Sequence, residues 1–266
     1  MSTPQTWHYG LVAKWWAEFN VDGPEIDYFR RFIEDDGQPA LDVACGTGRL
    51  LLPYLRAGLD VDACDISSDM VELCRRRAEA EGLAPSLFVQ PMHELDPPRG
   101  YRTIIVCGGV GLGSTRAQDE DAFRCFYDAL EPGGLLVFDN EVPYANARLW
   151  HMWPTEEQQR LPEAMRESGE RRRASDGSEL ELLTRVTGLD RLDQRVQLAL
   201  VAREWRDDQV VAEEEHTLDM RLYFKDELVL MLERAGFQEI DVRAGYTGAE
   251  PTGDEEFLVF AARKHR

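Results

Sequence analysis

Residues 39–49 read Pro-Ala-Leu-Asp-Val-Ala-Cys-Gly-Thr-Gly-Arg, and this stretch decides how the chain folds. A short apolar segment runs into a turn that contains Gly46 and Gly48, and a segment with helical periodicity follows. Because glycine has no Cβ, a ligand can approach the backbone N–H groups of such a turn closely. The stretch therefore predicts a strand, a turn and a helix that form a pocket for a nucleotide-like ligand.

The spacing of the glycines does not fit a dinucleotide site. Such a site requires G-x-G-x-x-G, whereas Leu51 stands at the third glycine position here. Asp65 falls at the predicted tip of the second strand, about 20 residues after the turn, where a carboxylate can accept hydrogen bonds from both ribose hydroxyls. The pair of features favours a nucleoside ligand and disfavours a pyrophosphate.

The composition restricts the class of partner. The 266 residues carry a formal net charge of −20, which disfavours binding to nucleic acid and to anionic membranes. No apolar run approaches the roughly 20 residues of a membrane span, and residues 1–8 lack the features of a signal peptide. The cysteines have no C-x-x-C spacing, and no cluster of His, Cys and Asp has metal-ligand spacing. We expect a cytoplasmic protein, monomeric or homodimeric, that binds a small molecule and no metal.

Apolar strands alternate with amphipathic helices up to residue 142. This alternation predicts a parallel, doubly wound α/β sheet, and two later strands are predicted to close it as a hairpin. The predicted elements after the first strand are a helix at Thr47–Ala57, strands at Asp60–Ile66, Ser86–Gln90, Thr103–Cys107 and Leu135–Asn140, and the final strands Ile240–Ala244 and Phe257–Ala262.

The pattern changes between residues 143 and 222. Three runs with period-two alternation, near residues 180–186, 196–202 and 216–222, predict an antiparallel meander. We therefore predict an N-terminal helical lid (1–35), a core (36–142 and 223–266) and a cap inserted into it (143–222). The aromatic residues of the lid are expected either to pack two helices on the sheet or to cover a ligand.

Four motifs together resemble those of class I S-adenosylmethionine-dependent methyltransferases. They are residues 41–49, Asp65-Ile66-Ser67 with Met70, Leu-Glu-Pro-Gly-Gly at 130–134 and Arg-Ala-Gly-Phe at 234–237. The resemblance implies a Rossmann-like, mainly parallel, seven-stranded sheet that binds S-adenosylmethionine. The inserted cap and the aromatic N-terminus resemble the small-molecule branch that includes sugar-amine and glycine N-methyltransferases.

The resemblance also implies roles for individual residues. In that family the glycine loop lies under the methionyl part of the cofactor, the acid matching Asp65 grips the ribose, and other residues flank the adenine or line the floor beside the sulfonium. An acidic residue often contacts the adenine amine where this chain has Pro91. The implied cofactor-binding residues are Trp16, Asp42, Ala44, Gly46, Thr47, Gly48, Arg49, Asp65, Ile66, Met70, Pro91, Met92, His93, Cys107 and Gly108.

Candidates for the acceptor side follow the fifth strand and lie in the lid. Asp139 and Glu141 can orient an ammonium or accept a proton, although solvated carboxylates or helix caps are the alternative, and Asn140 and Tyr9 complete the set. We predict methyl transfer to a small-molecule acceptor, with N-methylation slightly favoured over O-methylation, in which alignment is the protein's main contribution. An NAD-dependent oxidoreductase and a non-catalytic S-adenosylmethionine-binding protein remain as alternatives.

Overall fold

The chain forms two β-sheets that differ in connectivity. The structure is a computed structural model and describes residues 6–158 and 160–265. The strands are β1 (Ala40–Val43), β2 (Val61–Asp65), β3 (Leu87–Val89), β4 (Tyr101–Val106), β5 (Leu130–Glu141), β6 (Arg171–Arg173), β7 (Glu179–Asp190), β8 (Arg195–Arg206), β9 (Gln209–Arg221), β10 (Gln238–Ala244) and β11 (Phe257–Arg263).

The described residues also form α-helices, some of which cover the larger sheet. They are α1 (Gly10–Phe19), α2 (Glu25–Asp36), α3 (Leu51–Arg56), α4 (Ser68–Ala80), α5 (Arg116–Ala129), α6 (Ala147–His151), α7 (Thr155–Gln158) and α8 (Lys225–Ala235). Within the described ranges, 6–158 and 160–265, no helix combines the length and the apolar character needed to cross a membrane.

The larger sheet has seven strands in the order β10-β11-β5-β4-β1-β2-β3. The first five strands pair in parallel, and β11 is antiparallel to both β5 and β10. Apolar side chains of α2, α3 and α4 pack on one face and those of α5 and α8 on the other. The predicted fold class is therefore confirmed, including the closing hairpin.

Two of the predicted element starts lie furthest from those of the structure. The helix after the glycine turn begins at Leu51 and not at Thr47, because Gly46 (φ 53°) and Gly48 (φ 86°) place the chain in left-handed backbone first. Strand β5 begins at Leu130 and not at Leu135. The Pro-Gly-Gly segment lies within β5, as a register irregularity between the pairs Tyr101–Leu130 and Thr103–Leu135.

The smaller sheet forms the inserted cap and has four antiparallel strands in the order β6-β7-β8-β9. Only three strands were predicted. The missed strand is β6, whose sequence Arg171-Arg172-Arg173 has no apolar alternation that could reveal it.

Helix α1 packs against helix α4 of the core and against the cap, and its apolar side chains cluster with those of the cap. Leu11 and Val12 of α1 lie in one apolar cluster with Leu180, Leu200 and Ala202 of the cap. The expectation that both N-terminal helices bury their rings against the main sheet is therefore wrong for α1 and correct for α2. Residues 1–5 of the predicted lid, and Arg266 of the predicted core, lie outside the described residues.

Candidate active site

Two neighbouring cavities open at the carboxyl ends of the parallel strands. The first, which we call the glycine-turn cavity, measures about 130 Å³ and lies over the turn that follows β1. The second, the β5 cavity, measures about 100 Å³ and lies between the end of β5, helix α6 and the end of β9. Ligands of open α/β sheets bind at this edge, so the location fits a functional site.

The two sets of predicted residues separate between these cavities. Most of the predicted cofactor-binding residues line the glycine-turn cavity: Trp16, Asp42, Ala44, Gly46, Thr47, Arg49, Asp65, Ile66, Met70, Met92, Cys107 and Gly108. Three of the four predicted catalytic residues, Asp139, Asn140 and Glu141, line the β5 cavity, and Tyr9 lines neither of the two. Their roles stay predictions, while the structure gives their positions.

Asp65 joins the glycine turn to the end of β2. Its Oδ2 accepts a hydrogen bond from the Gly46 N–H at 2.9 Å, and its Oδ1 accepts one from the Ser67 N–H at 2.8 Å. Burial raises the pKa of this carboxyl, while the backbone hydrogen bonds oppose the increase. Each oxygen keeps a further lone pair, so the carboxylate can still accept bonds from ligand hydroxyls.

Asp42, at the third position of β1, has an incomplete set of partners. Its Oδ2 is buried and has no hydrogen-bond partner in the described part of the chain. Burial, and then the charge of Asp65, raises the pKa of Asp42 to about 8. A buried polar atom without a partner is costly, and a cationic group bound in this cavity would relieve that cost.

Two glycines that border the cavities adopt left-handed backbone conformations. A Cβ added to Gly46 (φ 53°) or Gly108 (φ 65°) would have no atom within 4 Å, so the backbone conformation and not a steric clash favours glycine there. Gly48 has a different role, since a Cβ there would lie 2.7 Å from Sγ of Cys74 on α4. Gly48 therefore allows α4 to pack closely and is not among the residues that line the cavity.

The floor of the glycine-turn cavity contains a tight contact between two loops. Ala44 has a φ of 58°, a left-handed conformation that is rare for a residue with a Cβ. A Cβ on Gly109 would lie only 2.8 Å from the Cβ of Ala44. The loops that follow β1 and β4 therefore lie so close at Ala44 and Gly109 that only one of the two residues has room for a Cβ.

The roof of the glycine-turn cavity comes from the N-terminal segment, which contributes Trp16 as predicted. It also contributes Thr6, His8 and Asn20, which were not predicted. Burial lowers the pKa of His8 to about 4, so its imidazole is neutral at physiological pH. Tyr9 was predicted because the segment is rich in aromatic residues. His8 was not predicted, because its sequence context does not differ from that of a surface histidine.

Hydrogen bonds attach this roof to both the core and the cap. On the core side, Asp69 Oδ2 accepts from the Gly10 N–H at 2.8 Å, and the His8 carbonyl accepts from the Ser67 hydroxyl at 2.5 Å. On the cap side, Glu214 Oε2 accepts from the Leu11 N–H at 2.8 Å. The roof is therefore bound to two parts of the chain that are separate in sequence.

Asp139 is fully engaged at the end of β5. Its Oδ1 accepts from the Gly108 N–H at 2.5 Å, and its Oδ2 accepts from the Tyr246 hydroxyl at 2.5 Å and from the Cys107 thiol at 3.4 Å. Burial raises the pKa of Asp139, and these donors oppose the increase. The carboxylate thus fixes the peptide of Gly108, which borders both cavities.

The two residues after Asp139 differ from each other in availability. The amide of Asn140 donates to the carbonyls of Glu141 and Tyr223, both at 3.0 Å, so its donors are used within the protein. Glu141 is half-buried, and burial raises the pKa of its carboxyl. The charge of Glu256 raises this pKa further, whereas a hydrogen bond with the Asn146 side chain lowers it. Glu141 is therefore the carboxylate of the β5 cavity best placed to meet a ligand.

Pro91 and His93 lie beside the glycine-turn cavity in a smaller one of about 40 Å³, together with Ile66 and Met92. His93 Nε2 lies 3.0 Å from Nε2 of Gln118 on α5, a distance that allows a hydrogen bond. The contact of His93 with an adenine stays a prediction.

Arg49 lines the glycine-turn cavity, and its guanidinium has two partners within the protein. Its guanidinium pairs with Glu25 of α2 and donates to the Cys107 sulfur at 3.5 Å. In residues 6–158 and 160–265, no three His, Cys, Asp or Glu side chains are grouped so that they could hold a metal ion.

Comparison with known proteins connects this geometry to a family. Residues 40–134 match a family model described as a methyltransferase domain. A putative methyltransferase of Geobacillus sp. (strain WCH70) is 26% identical over 145 residues, which cover 51% of this chain and 58% of that protein. The putative methyltransferase YqeM of Bacillus subtilis (strain 168) is 24% identical over 230 residues, which cover 85% of this chain and 84% of that protein.

Solved structures extend the similarity of fold to the cap. The sugar N-methyltransferase KedS8 from Streptoalloteichus sp. ATCC 53650 superposes with a TM-score of 0.70 at 18% identity, over 100% of this chain and 99% of that one. An S-adenosylmethionine-dependent methyltransferase from Clostridium acetobutylicum ATCC 824 gives a TM-score of 0.69 at 18% identity, over 91% and 92% of the two chains.

Proposed function

We propose that this chain, whose residues 40–134 form a methyltransferase domain of the S-adenosylmethionine-dependent class, methylates a small-molecule amine. The observation that carries the proposal is the adjacency of the two cavities, which share Gly108 and Leu112 in their walls. One cavity has the features of a nucleoside site, and the other is lined by the carboxyl-bearing residues Asp139 and Glu141.

The residues of the glycine-turn cavity fit the cofactor. S-adenosylmethionine, when bound, would supply a methyl group on a sulfonium, whose carbon an amine lone pair can attack while S-adenosylhomocysteine leaves with the C–S electron pair. Asp65 would accept hydrogen bonds from the ribose, and the unpartnered Oδ2 of Asp42 would meet the positive charge of the methionyl ammonium. Gly46 and Gly108 leave open the space that a Cβ would fill.

The β5 cavity is the proposed acceptor site. Glu141 would orient a protonated amine, or accept its proton before attack, because its raised pKa brings the carboxyl closer to the range of a useful base. Asp139 acts indirectly in this proposal, since its oxygens hold the Gly108 N–H and accept from Tyr246. The lid, residues 6–35, and the cap, residues 143–222, would enclose the two sites and exclude water.

O-methylation is the second candidate. A ubiquinone biosynthesis O-methyltransferase of Xanthomonas euvesicatoria pv. vesicatoria (strain 85-10) is 27% identical over 152 residues, which cover 52% of this chain and 61% of that protein. Glu141 in the β5 cavity favours an amine, because a carboxylate attracts an ammonium. The cytoplasmic location and the monomeric or dimeric state stay predictions.

Two measurements test the proposal in sequence. Calorimetry should detect binding of S-adenosylhomocysteine and none of NAD; binding of NAD alone would overturn the cofactor assignment and favour an oxidoreductase. A transfer assay with isotopically labelled cofactor should then compare amino sugars and other small amines with phenols. Label in the phenols alone would support O-methylation, and cofactor binding without transfer to any acceptor would favour a non-catalytic binding protein.

A further inference from the structure

Leu112 lies at the boundary between the two proposed sites. It lines the glycine-turn cavity, the β5 cavity and the small cavity beside Pro91 and His93. Gly108 is the other residue that lines both the glycine-turn cavity and the β5 cavity, and it has no side chain. Of these two residues, only Leu112 has a side chain, so a substitution of Leu112 can enlarge or narrow the boundary between the cavities.

The backbone on both sides of Leu112 is bound to the cap. The Gly113 N–H donates to the Asp219 carbonyl at 2.7 Å, and the Arg221 N–H donates to the Gly111 carbonyl at 2.8 Å. Leu112 itself forms an isolated β-bridge with Met220. The end of β9 thus holds this loop in place, so the position of Leu112 follows the position of the cap.

A second observation shows how closely the loop fits the cap. Gly111 has a φ of 79°, and a Cβ there would lie 3.0 Å from the Arg221 carbonyl oxygen. On the opposite side, Asp119 is buried and accepts from the hydroxyls of Ser114 and Tyr223, both at 2.6 Å. The loop from 111 to 114 is therefore anchored at each end, and the backbone of Leu112 has little freedom to move.

We propose that Leu112 determines specificity by limiting the size of the group that can extend from the glycine-turn cavity into the β5 cavity. The proposal rests on the proposed function, because it takes the first cavity as the cofactor site and the second as the acceptor site. A slender amine with small substituents on nitrogen would reach the reacting methyl group. A nitrogen with bulky substituents would meet the Leu112 side chain first.

The test uses cofactor analogues and needs no knowledge of the acceptor. The probes are S-adenosylhomocysteine and two sulfonium analogues of the cofactor that carry propyl or benzyl in place of methyl. Their substituents must extend toward the β5 cavity if the two cavities communicate at Leu112. Calorimetry measures the dissociation constant of each probe for the wild type, Leu112→Ala, Leu112→Phe and the control Leu192→Ala, whose side chain is 96% exposed at a cap turn.

The expected result is a change in relative affinity. The ratio of the benzyl-analogue constant to the S-adenosylhomocysteine constant should fall about tenfold in Leu112→Ala, rise in Leu112→Phe and stay unchanged in Leu192→Ala. Equal ratios in wild type and Leu112→Ala, with S-adenosylhomocysteine still bound, would overturn the role of Leu112. Failure of the wild type to bind S-adenosylhomocysteine would instead overturn the proposed function. If Leu112→Phe does not fold, the comparison of wild type with Leu112→Ala still decides the question.

Discussion

The hydroxyl of Tyr246 donates a hydrogen bond to Oδ2 of Asp139 across 2.5 Å, although 107 residues separate the two in sequence. Oδ1 of the same carboxylate accepts from the Gly108 N–H. Tyr246 packs against Tyr28 and Phe29 of α2 on one face of the larger sheet. The tyrosine thereby positions a carboxylate that in turn fixes the wall between the two cavities.

Removal of this hydroxyl should destabilise the protein in a pH-dependent way. Tyr246→Phe leaves a buried carboxylate with one donor fewer, which should cost about 1–3 kcal/mol of unfolding free energy when Asp139 is charged. Because burial already raises the pKa of Asp139, the loss should be larger at pH 8 than at pH 5. Urea denaturation measures it, with Tyr127→Phe on the opposite face of the sheet as the control. A loss that does not vary with pH would contradict the assigned role.

Asp42 should reduce stability as the pH rises. Its pKa is about 8 in the folded protein and 3.8 in the reference state, so between these values the folded state binds more protons than the unfolded state. Stability therefore falls with increasing pH across this window. Asp42→Asn should remove that part of the slope and stabilise the protein by about 1–3 kcal/mol at pH 8. The measurement is the free energy of unfolding of the wild type and Asp42→Asn as a function of pH, without ligand. If the two curves run parallel, Asp42 carries no buried charge.

Asp65 should dominate the binding of S-adenosylhomocysteine. Asp65→Asn removes the charged acceptor while it preserves shape, and the loss of two charge-assisted hydrogen bonds should weaken affinity about 10- to 100-fold. Asp62→Asn is the matched control, because Asp62 lies on the same strand but bonds to Arg99 and Tyr101. Calorimetry checks the prediction, and an unchanged affinity in Asp65→Asn would refute the ribose contact.

The fit between Ala44 and Gly109 predicts a coupled pair of substitutions. Gly109→Ala should destabilise the protein by about 1–3 kcal/mol, because its Cβ would press on the Ala44 methyl group. Ala44→Gly should be tolerated, since it relieves a left-handed alanine. The double variant should recover part of the loss, with a coupling energy of roughly 0.5–2 kcal/mol in thermal or urea unfolding. Strict additivity would mean that the two loops do not press on each other.

Glu214 should affect ligand binding from a distance. It lies on the cap and accepts from the Leu11 N–H and pairs with His216, so it holds the helix that forms the cavity roof. Glu214→Gln should weaken S-adenosylhomocysteine binding up to about fivefold, which corresponds to one hydrogen bond. Its neighbour Glu213 pairs with Arg203 instead, so Glu213→Gln should bind as the wild type does. If the two variants weaken binding equally, the hydrogen bond from the Leu11 N–H to Glu214 has no specific effect on ligand binding.

The part of the site that could be predicted from sequence is local in the chain. The strand, the glycine turn and Asp65 lie within about 30 residues, and their positions at one cavity follow from spacing that parallel sheets impose. The partners of Asp139 could not be predicted, because Tyr246 reaches it from a loop after β10. The docking of α1 on the cap was also missed, since the apolar face of an amphipathic helix does not specify which sheet it covers.

The contact between Leu11 and Glu214 spans 203 residues of sequence. Loops of that length close late, because the entropy cost must be met before the contact forms. During synthesis, the strands and helices around the glycine turn can assemble while the cap is still being made. The hydrogen bond of the roof to Glu214 can form only after β9 has emerged, whereas its bonds to Asp69 and Ser67 can form earlier. Complete closure of the roof on the cap therefore requires synthesis of the chain as far as β9.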